Sequence, residues 1–408
     1  MRRLIVPLLL FAVLLPAAGC GKSSKSTRVD PIGAQQETAA GNAALAAGDY
    51  AGANTHFKAA IAKDPANSNA QFGAAVTEVY LLQADPEIQQ ITGVLPLAVA
   101  PGMPMASVRA TRSSALSQRL AVAAAGIDRR YAPPALGRAF FRTLALAADD
   151  PDSLSDIQAI LRAKVLPKLA YAEDRLRTIE AAGEFRMFLP PSLTDLPDTI
   201  EIDLTEVHLL DAVVNGAQGF TRMVCAYNFD VENMDFEHVD AESLFAPGTA
   251  FGALNAGGGA LLTQAKQDLL DVGVQLDAAA TYLTAEADDQ SDDVVPQAWL
   301  ETTEYATFHH DVEQFTATLN GPVTITVDDA AGQPMALQLN LGRFFVPAIA
   351  DLKTVLPAIT ITVDGPDIVQ PITFGDHPTI NGIFPDMTDA RWQQLTGLTG
   401  ATAVALRH

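Results

Sequence analysis

The chain has 408 residues, of which 49% are hydrophobic and 18% are charged. This composition supports a packed core and about two or three domains. The formal net charge is −22, and it is unevenly distributed: from residue 187 onward 6 Lys and Arg stand against 32 Asp and Glu, whereas the preceding part is slightly basic. An acidic surface repels phosphate backbones, which argues against a nucleic-acid partner. The acidic half is either a plain solvated surface or one that attracts cations.

The N-terminal segment has the pattern of an export signal. Two arginines precede an apolar run at residues 4–15, which is shorter than the roughly 20 residues needed to span a bilayer. The sequence Ala-Ala-Gly-Cys follows and ends at Cys20. This ending resembles the lipobox of bacterial lipoproteins, although Ala17 stands where Leu is commoner. The alternative is an ordinary secretory signal that is cut near a cysteine.

The resemblance to lipoproteins implies that residues 1–19 are a signal peptide and that Cys20 becomes an acylated N-terminus. The membrane would then be a partner through Cys20, since lipid chains anchor by about 0.8 kcal/mol per buried methylene. Residues 20–31 are polar and contain several serines, so we predict a flexible tether there. The residue after Cys20 is not Asp, which resembles an outer-membrane address. We therefore expect a cell-envelope protein that faces the periplasm or the cell surface.

A repeat-like pattern occupies residues 34–67. Gly48 predicts a turn between two helices, and apolar residues at helical spacing predict a buried stripe along the second helix. The residues of this pattern resemble those of a tetratricopeptide repeat: Gly41, Gly48, Tyr50, Ala53, Phe57, Ala60 and Pro65. The family implies helix pairs that stack into a concave protein-binding groove. Two positions that the family fills with aromatic residues hold Glu37 and Ala44, so an ordinary helical hairpin is the alternative.

Further helices are predicted downstream. A long helical pattern that should kink at Pro167 is followed by an extended piece at residues 199–203. Helices are then predicted at residues 205–227 and 260–287. We therefore predict a helical, repeat-like region over residues 32–190 and a second helical region over residues 191–320.

The hydrophobic period changes to two in residues 321–408, for which we predict a mixed region of strands and loops. Alternation at residues 323–327 and 337–341 predicts a β-hairpin, and residues 359–363 predict a third strand. The tail also resembles uncharacterised bacterial lipoproteins, a resemblance that implies no activity. The expected fold is mainly α, with helical hairpins stacked on further helices and a small β-hairpin region near the C-terminus.

The densest acidic run is a candidate cation site. Hard cations such as calcium take several carboxylate oxygens, and the residues that would supply them are Glu286, Asp288, Asp289, Asp292 and Asp293. The run lacks the Gly and Glu positions of an EF-hand loop, and a solvated helix end is the alternative. Calcium is therefore a candidate partner.

No other group of residues forms a recognisable catalytic or metal-binding motif. Adjacent residues such as His309 and His310 point about 100° apart on a helix, so they do not readily share a metal ion. No His-Glu-x-x-His or Gly-x-Ser-x-Gly motif occurs. If Cys20 is acylated, Cys225 has no disulfide partner, and its apolar neighbours predict a buried thiol. We expect no cofactor and no catalytic residue, and we favour a role other than catalysis.

These patterns favour a lipid-anchored cell-envelope protein whose helical repeat mediates protein–protein interaction. The alternative is an envelope protein that binds a ligand or a cation, or an enzyme, with a site formed by acidic and histidine residues that are distant in sequence. The lack of a catalytic motif favours the first function.

Overall fold

The computed structural model describes residues 29–88, 154–191, 199–229, 249–287, 293–329, 331–355, 359–363, 371–374, 378–396 and 402–406. The predicted signal peptide with Cys20, and the predicted cation ligands Asp288, Asp289 and Asp292, lie outside these ranges. Within them the chain is mainly helical with small β-sheets, which confirms the predicted fold class.

The helices are α1 (Pro31–Ala46), α2 (Tyr50–Lys63), α3 (Ser68–Ala84), α4 (Leu154–Ile160), α5 (Leu166–Ala182), α6 (Leu204–Ala226), α7 (Gly258–Ala285), α8 (Thr303–Asn320), α9 (Gly342–Phe345) and α10 (Asp389–Thr396). A π-helical stretch, Leu161–Val165, joins α4 to α5, and 3₁₀ turns occupy Gln297–Glu301 and Leu352–Val355. The strands are β1 (Arg186–Leu189), β2 (Ile200–Asp203), β3 (Val323–Asp328), β4 (Pro334–Leu339), β5 (Ile359–Val363), β6 (Pro371–Phe374) and β7 (Thr402–Leu406).

The first three helices begin at side chains that cap them. Asp30, Asp49 and Asn67 each precede a helix, and their side-chain oxygens accept hydrogen bonds from first-turn N–H groups at 3.0, 2.8 and 3.0 Å. Such caps stabilise a helix by roughly 1 kcal/mol each. Between α1 and α2, Gly48 adopts a positive φ of 75°, which glycine accepts without strain. The predicted turn and helix pair are therefore present.

We call these three helices the hairpin array (α1–α3). They pack closely around one aromatic ring. Phe57 of α2 is fully buried, and its ring lies against Gly41 of α1 and Gly73 of α3. A Cβ atom at Gly41 would lie 2.7 Å from the ring, and one at Gly73 would lie 2.6 Å from it. Ala53 and Ala60 are also fully buried. These small residues let the helices approach closely enough to enclose the ring.

Helix α3 is buried on two faces. One face packs on α1 and α2 through Ala70 and Ala74, while the other carries Phe72 into the main hydrophobic core. The Phe72 ring lies 5.4 Å from that of Phe185, which follows α5. Because α3 contacts α5 as well as α2, it connects the hairpin array to the rest of the described chain.

The long helix for which we predicted a kink at Pro167 is present. It contains a π-helical stretch, Leu161–Val165, shortly before this proline. Proline and π-helical turns are both common causes of helix distortion. After α5, strands β1 and β2 pair antiparallel, with Leu189 opposite Ile200. This pairing crosses the division predicted at residue 190, and residues on both sides share one core. The main core therefore includes residues from both predicted helical regions, while the hairpin array has a small cluster of its own around Phe57.

Helix α6 packs on α5, α7 and β2. A capping box sets its start: the Asp203 N–H donates to Glu206 Oε2 at 3.0 Å, and Asp203 Oδ1 accepts from the Thr205 N–H at 2.6 Å. The helices predicted at residues 205–227 and 260–287 are confirmed to within two residues as α6 and α7.

The predicted C-terminal hairpin is confirmed, since β3 and β4 pair antiparallel with Val323 opposite Leu339. Strand β4 begins and ends earlier than predicted. Asn340 leaves the strand because its N–H donates to the carbonyl oxygen of Ile383 at 2.7 Å. The third predicted strand is β5, which pairs antiparallel with β6 and parallel with β7.

Gly41→Ala and Gly73→Ala should each lower the free energy of unfolding by about 1–3 kcal/mol, because the added methyl group collides with the Phe57 ring. Gly216→Ala in α6 is the matched control. Its Cβ would lie 3.7 Å from Val272 Cγ2, an ordinary contact, so it should stabilise by about 0.5–1 kcal/mol through helix propensity. Urea denaturation followed by circular dichroism measures all three variants. Stabilisation by Gly41→Ala equal to that of the control would contradict the close packing of Phe57.

Candidate functional site

The residues of the repeat-like pattern serve mainly as packing residues of the hairpin array. Tyr50 at the start of α2 stacks on Tyr80 of α3, with ring centroids 4.7 Å apart and ring planes at 7°. Tyr50 is 37% exposed, so the stacked pair reaches the surface. Pro65 lies in the short connection between α2 and α3. The array thus has an interior of small residues around one ring and an aromatic pair on its outside.

Two of the predicted cation ligands, Glu286 and Asp293, lie in the described chain, and the structure brings them beside acidic residues of β2. Carboxylate oxygens of Glu201, Asp203 and Glu286 all lie within 4.8 Å of one another, and we call these three residues the acidic group. Asp293 joins them through a parallel β-bridge to Glu201. Glu201 and Asp203 are both buried, and Glu286 is half-buried.

Neighbouring groups offset the repulsion within the acidic group. Arg186 of β1 pairs with Glu201, its Nε lying 2.5 Å from Oε1. Burial and the nearby charge of Asp203 raise the pKa of Glu206 well above its ordinary value. Carboxylates at such distances share protons or bind a hard cation through their oxygens. Calcium binding by the acidic group stays a prediction.

Glu201 and Asp203 were missed in the sequence, although a signal for them is present. Residues two apart on a strand point to the same face, so the predicted extended piece at residues 199–203 places both carboxylates side by side. The end of α7 is far away along the chain, and local patterns do not reveal that Glu286 lies next to them.

A second concentration of polar residues lies where α5, α6 and α7 meet, and we call it the polar network. Its members are Glu173, Arg177 and Glu180 of α5, His208, Asp211, Asn215, Gln218 and Arg222 of α6, and Asp268, Asp271 and Gln275 of α7. The members from α6 recur every three or four residues and therefore share one helix face. The sequence reveals this polar face by the same spacing that reveals the apolar face beside it.

Gln275 is the centre of the polar network. Its Nε2 donates to Asp211 Oδ2 at 2.7 Å and to Glu180 Oε2 at 3.1 Å, while its Oε1 accepts a hydrogen bond from His208 Nδ1 at 2.6 Å. Arg177 approaches from α5, with Nε 3.9 Å from Asp211 Oδ2. One amide side chain of α7 therefore connects a carboxyl group and an imidazole of α6 to a carboxyl group of α5.

Asp211 has no exposed surface. Burial raises its pKa to about 8, with Glu180 and Glu173 adding to the shift and Arg177 and His208 opposing it. The carboxyl group is therefore mainly protonated at neutral pH. Burial opposes the charged form of His208, but hydrogen bonding, first to Glu180, outweighs burial and raises its pKa. Such a pair of groups is suited to hold a proton inside the helix bundle.

The remaining candidates have ordinary structural environments. His309 lies 3.2 Å from Asp277 of α7, whereas His310 contacts Gln314 on its own helix. The two imidazoles therefore have different neighbours, as predicted. Cys225 is free and fully buried, and burial raises the pKa of its thiol, which argues against a nucleophile.

No protein-family model matches the chain, and no curated protein or solved structure shows a significant match to it. Within the described ranges, none of the helices is both long and apolar enough to cross a membrane. The hairpin array, the acidic group and the polar network are therefore the observations from which function is inferred.

Asp211→Asn should flatten the pH dependence of stability. The pKa of Asp211 is about 8 in the folded state, above its ordinary value of 3.8. The neutral carboxyl group therefore contributes its full stabilisation of the folded state below pH 3.8. It is lost as the pH rises towards 8, by about 1.4 kcal/mol per pH unit. Asparagine keeps an acceptor for Gln275 and does not ionise, so the variant should lose this slope and be the more stable form at pH 8.

Urea unfolding between about pH 5 and pH 8 measures this slope. Asp277→Asn is the matched control, because the Asp277 side chain is 62% exposed on α7. His208 and Asp211 shift each other's pKa, so the change in slope reports the loss of this coupled pair. A slope in Asp211→Asn equal to that of the natural protein would mean that Asp211 is already ionised in the folded state.

Proposed function

We propose that the protein is a lipid-anchored protein of the cell envelope whose hairpin array binds another envelope protein. Cys20 is the anchor, the tether runs from it to Val29 because Asp30 already caps α1, and the folded part faces the periplasm or the cell surface from the outer membrane. The lipobox-like ending at Cys20 supports the anchor, and the helix packing of the array supports the binding function.

The observation that carries the proposal is the packing of the hairpin array. A helix pair and the following helix α3 stack side by side, with the Phe57 ring seated between Gly41 and Gly73. Helical repeats build a continuous core in this way from units that cannot bury their own faces alone. Such stacks present extended surfaces on which a partner binds.

The stacked pair of Tyr50 and Tyr80 is the part of this surface best suited to a partner. Tyrosine gives a large rigid contact area and a hydroxyl group for hydrogen bonding, and it is enriched at protein interfaces. The two rings are already stacked, so a partner does not have to order them. We place the contact on the face of α2 and α3 that carries this pair.

Cys20→Ser should move the protein from the membrane fraction to the soluble fraction, because the thiol that accepts the lipid is lost. Cys225→Ser is the matched control, since Cys225 is buried and free, and this variant should stay with the membrane. Fractionation of cells followed by immunoblotting measures both. A membrane-bound Cys20→Ser protein would contradict the anchor.

Tyr50→Ala should lower the amount of a specific partner that co-purifies with the tethered protein at least about fivefold, because aromatic anchors carry much of the binding energy at interfaces. Phe188→Ala is the matched control, because Phe188 is an equally aromatic side chain that is 52% exposed and belongs to β1, not to the array. Cross-linking in cells, purification and quantitative mass spectrometry measure the recovery. Recovery of no specific partner by the natural protein would contradict the proposed function and favour ligand or cation binding.

A further inference from the structure

A short motif occurs twice in the C-terminal part of the chain. Residues 324–328 and 360–364 both read Thr-Ile-Thr-Val-Asp, and a Gln-Pro pair follows each motif after a loop. The loop is one residue longer in the second copy. Each copy folds as an antiparallel hairpin whose second strand begins at the proline, β3 with β4 and β5 with β6. The two hairpins are therefore internal repeats of one unit.

The second hairpin carries an additional strand. Strand β7 pairs parallel with β5 on the edge opposite β6, with Ile359 opposite Thr402 and Val363 opposite Leu406. In the sheet that contains β3, the described residues supply only β4 as a neighbour. We call the outer side of β3 (Val323–Asp328) the β3 edge. It corresponds to the edge of β5 on which β7 lies.

Backbone contacts identify the groups of β3 that point to this edge. The Gln338 N–H donates to Asp386 Oδ1 at 3.0 Å, so it points away from β3, and its pair with Thr324 is not a hydrogen-bonded one. Hydrogen-bonded and non-hydrogen-bonded pairs alternate in an antiparallel ladder. Thr324, Thr326 and Asp328 therefore direct their N–H and C=O groups outwards. Among the described residues, no strand pairs with these groups.

The other edge of this hairpin is covered by side chains. Asp386 accepts from the Gln338 N–H, and the Arg391 guanidinium donates to the carbonyl oxygen of Ala336. Natural sheets commonly protect their edges by covering them, by lysines or by bulges. Strand β3 contains no Lys, and its pairing with β4 is continuous along its whole length. The β3 edge is therefore the one at which this hairpin can accept another strand.

The apolar face of the hairpin is covered less completely at β3 than at β4. Val323, Ile325 and Val327 are half-buried, whereas Met335 and Leu337 of β4 are 6% and 1% exposed. A strand added at the β3 edge would place its own side chains beside the three half-buried ones. The addition would remove apolar surface from water as well as pair backbone groups.

The repeat indicates the direction of the strand that fits. Pro371 has no N–H, so its partner Thr362, and by alternation Thr360, direct their backbone groups to β7. These two threonines correspond to Thr326 and Thr324 of β3. Since β7 runs parallel to β5, a parallel strand is expected at the β3 edge. The sequence of β7, Thr-Ala-Val-Ala-Leu, shows that small and apolar residues suit this position.

Charge complementarity adds a basic residue to this pattern. Asp328 and Asp329 lie at the C-terminal end of β3, and Asp328 is exposed. No Lys or Arg occurs between Lys266 and Arg343. A parallel strand would end beside these two carboxylates, so a basic residue that follows it would be attracted to them. In the sequence, Arg407 follows β7 in the same way.

We propose that the β3 edge binds an extended segment of a protein partner, which joins the hairpin as a parallel strand and is followed by a Lys or Arg beside Asp328. Backbone pairing with Thr324 and Thr326 supplies affinity, while the apolar residues and the basic residue supply specificity. A second copy of the chain is a poorer occupant, because both copies are strongly acidic from residue 187 onward and repel each other. The proposal goes beyond the proposed function, since no residue of the hairpin array takes part.

The test uses the full chain purified in detergent and a fluorescein-labelled peptide with the sequence of residues 401–408. Fluorescence anisotropy should show binding, and Arg407→Glu in the peptide should weaken it at least about fivefold, because Glu would lie beside the carboxylates. No binding up to about 1 mM peptide, or equal binding of the Arg and Glu peptides, would overturn the proposal.

Two N-methylated peptides test the strand pairing without any change to the protein. A residue of a parallel strand bonds to the neighbours of the residue opposite it, so Val404 and Leu406 are the positions of β7 whose N–H groups face β5. N-methylation at these two positions should weaken binding at least about tenfold, whereas N-methylation at Ala403 and Ala405 should change it less than about twofold. Equal effects of the two patterns would overturn the proposal.

Proline variants locate the binding. Thr326→Pro removes an outward N–H of β3 and no hydrogen bond to β4, so it should weaken peptide binding at least about tenfold. Thr362→Pro is the matched control at the corresponding position of β5, and it should keep the affinity. Circular dichroism checks that both variants fold. If the peptide exchanges onto β5 instead, Thr362→Pro is the damaging variant, and that outcome would overturn the proposal.

Light scattering tests a second copy as the occupant. The natural protein and Thr326→Pro should both be monomers. A natural dimer that Thr326→Pro converts to a monomer would assign the β3 edge to a second copy and overturn the proposal. These results are independent of the recovery of a partner through Tyr50, so either the β3 edge or the proposed function can fail alone.

Discussion

Helix α6 is packed between α5 and α7, and its polar face is buried there. This helix places a row of polar side chains among three packed helices, and each buried polar group without a partner costs about 1–3 kcal/mol. Asp211 is accepted there because Gln275 of α7 donates to it and because it is neutral at ordinary pH. The same amide donates to Glu180 of α5. Partners at matching heights on α5 and α7 therefore hold the three helices in one register.

The register set by the polar network also shapes the small apolar cleft beside Trp299. His208 and Gln275 are joined by a hydrogen bond, and the next residue after each, Leu209 and Leu276, lines the cleft. A shift of α7 along α6 would break the hydrogen bond and separate the two leucines at the same time. Buried polar contacts on one side of the α6–α7 pair thus fix the apolar wall on the other side.

Local patterns predict the local parts of this fold. The turn at Gly48 and the alternating strands follow from short-range rules of backbone conformation and side-chain spacing. The contact of α3 with α5 does not, because α3 is buried on two faces and sequence periodicity identifies faces without identifying their partners. The same limit applies to the candidate sites: Gln275 and Glu180 are 95 residues apart, and only the packing of α5 against α7 brings them together. For that reason the acidic run identifies Glu286 as a candidate ligand, while local patterns do not identify its neighbours in β2.

The uneven charge gives the tether a physical role if Cys20 is acylated. The chain from residue 187 onward is strongly acidic and is repelled by anionic head groups, whereas the lipid holds the N-terminus at the membrane. That repulsion decays over a Debye length of about 8 Å at physiological salt. A flexible tether over residues 20–29 would span on average about 17 Å, which exceeds this distance. The folded part would therefore sit beyond the reach of the repulsion, with the hairpin array as the first folded element after the tether.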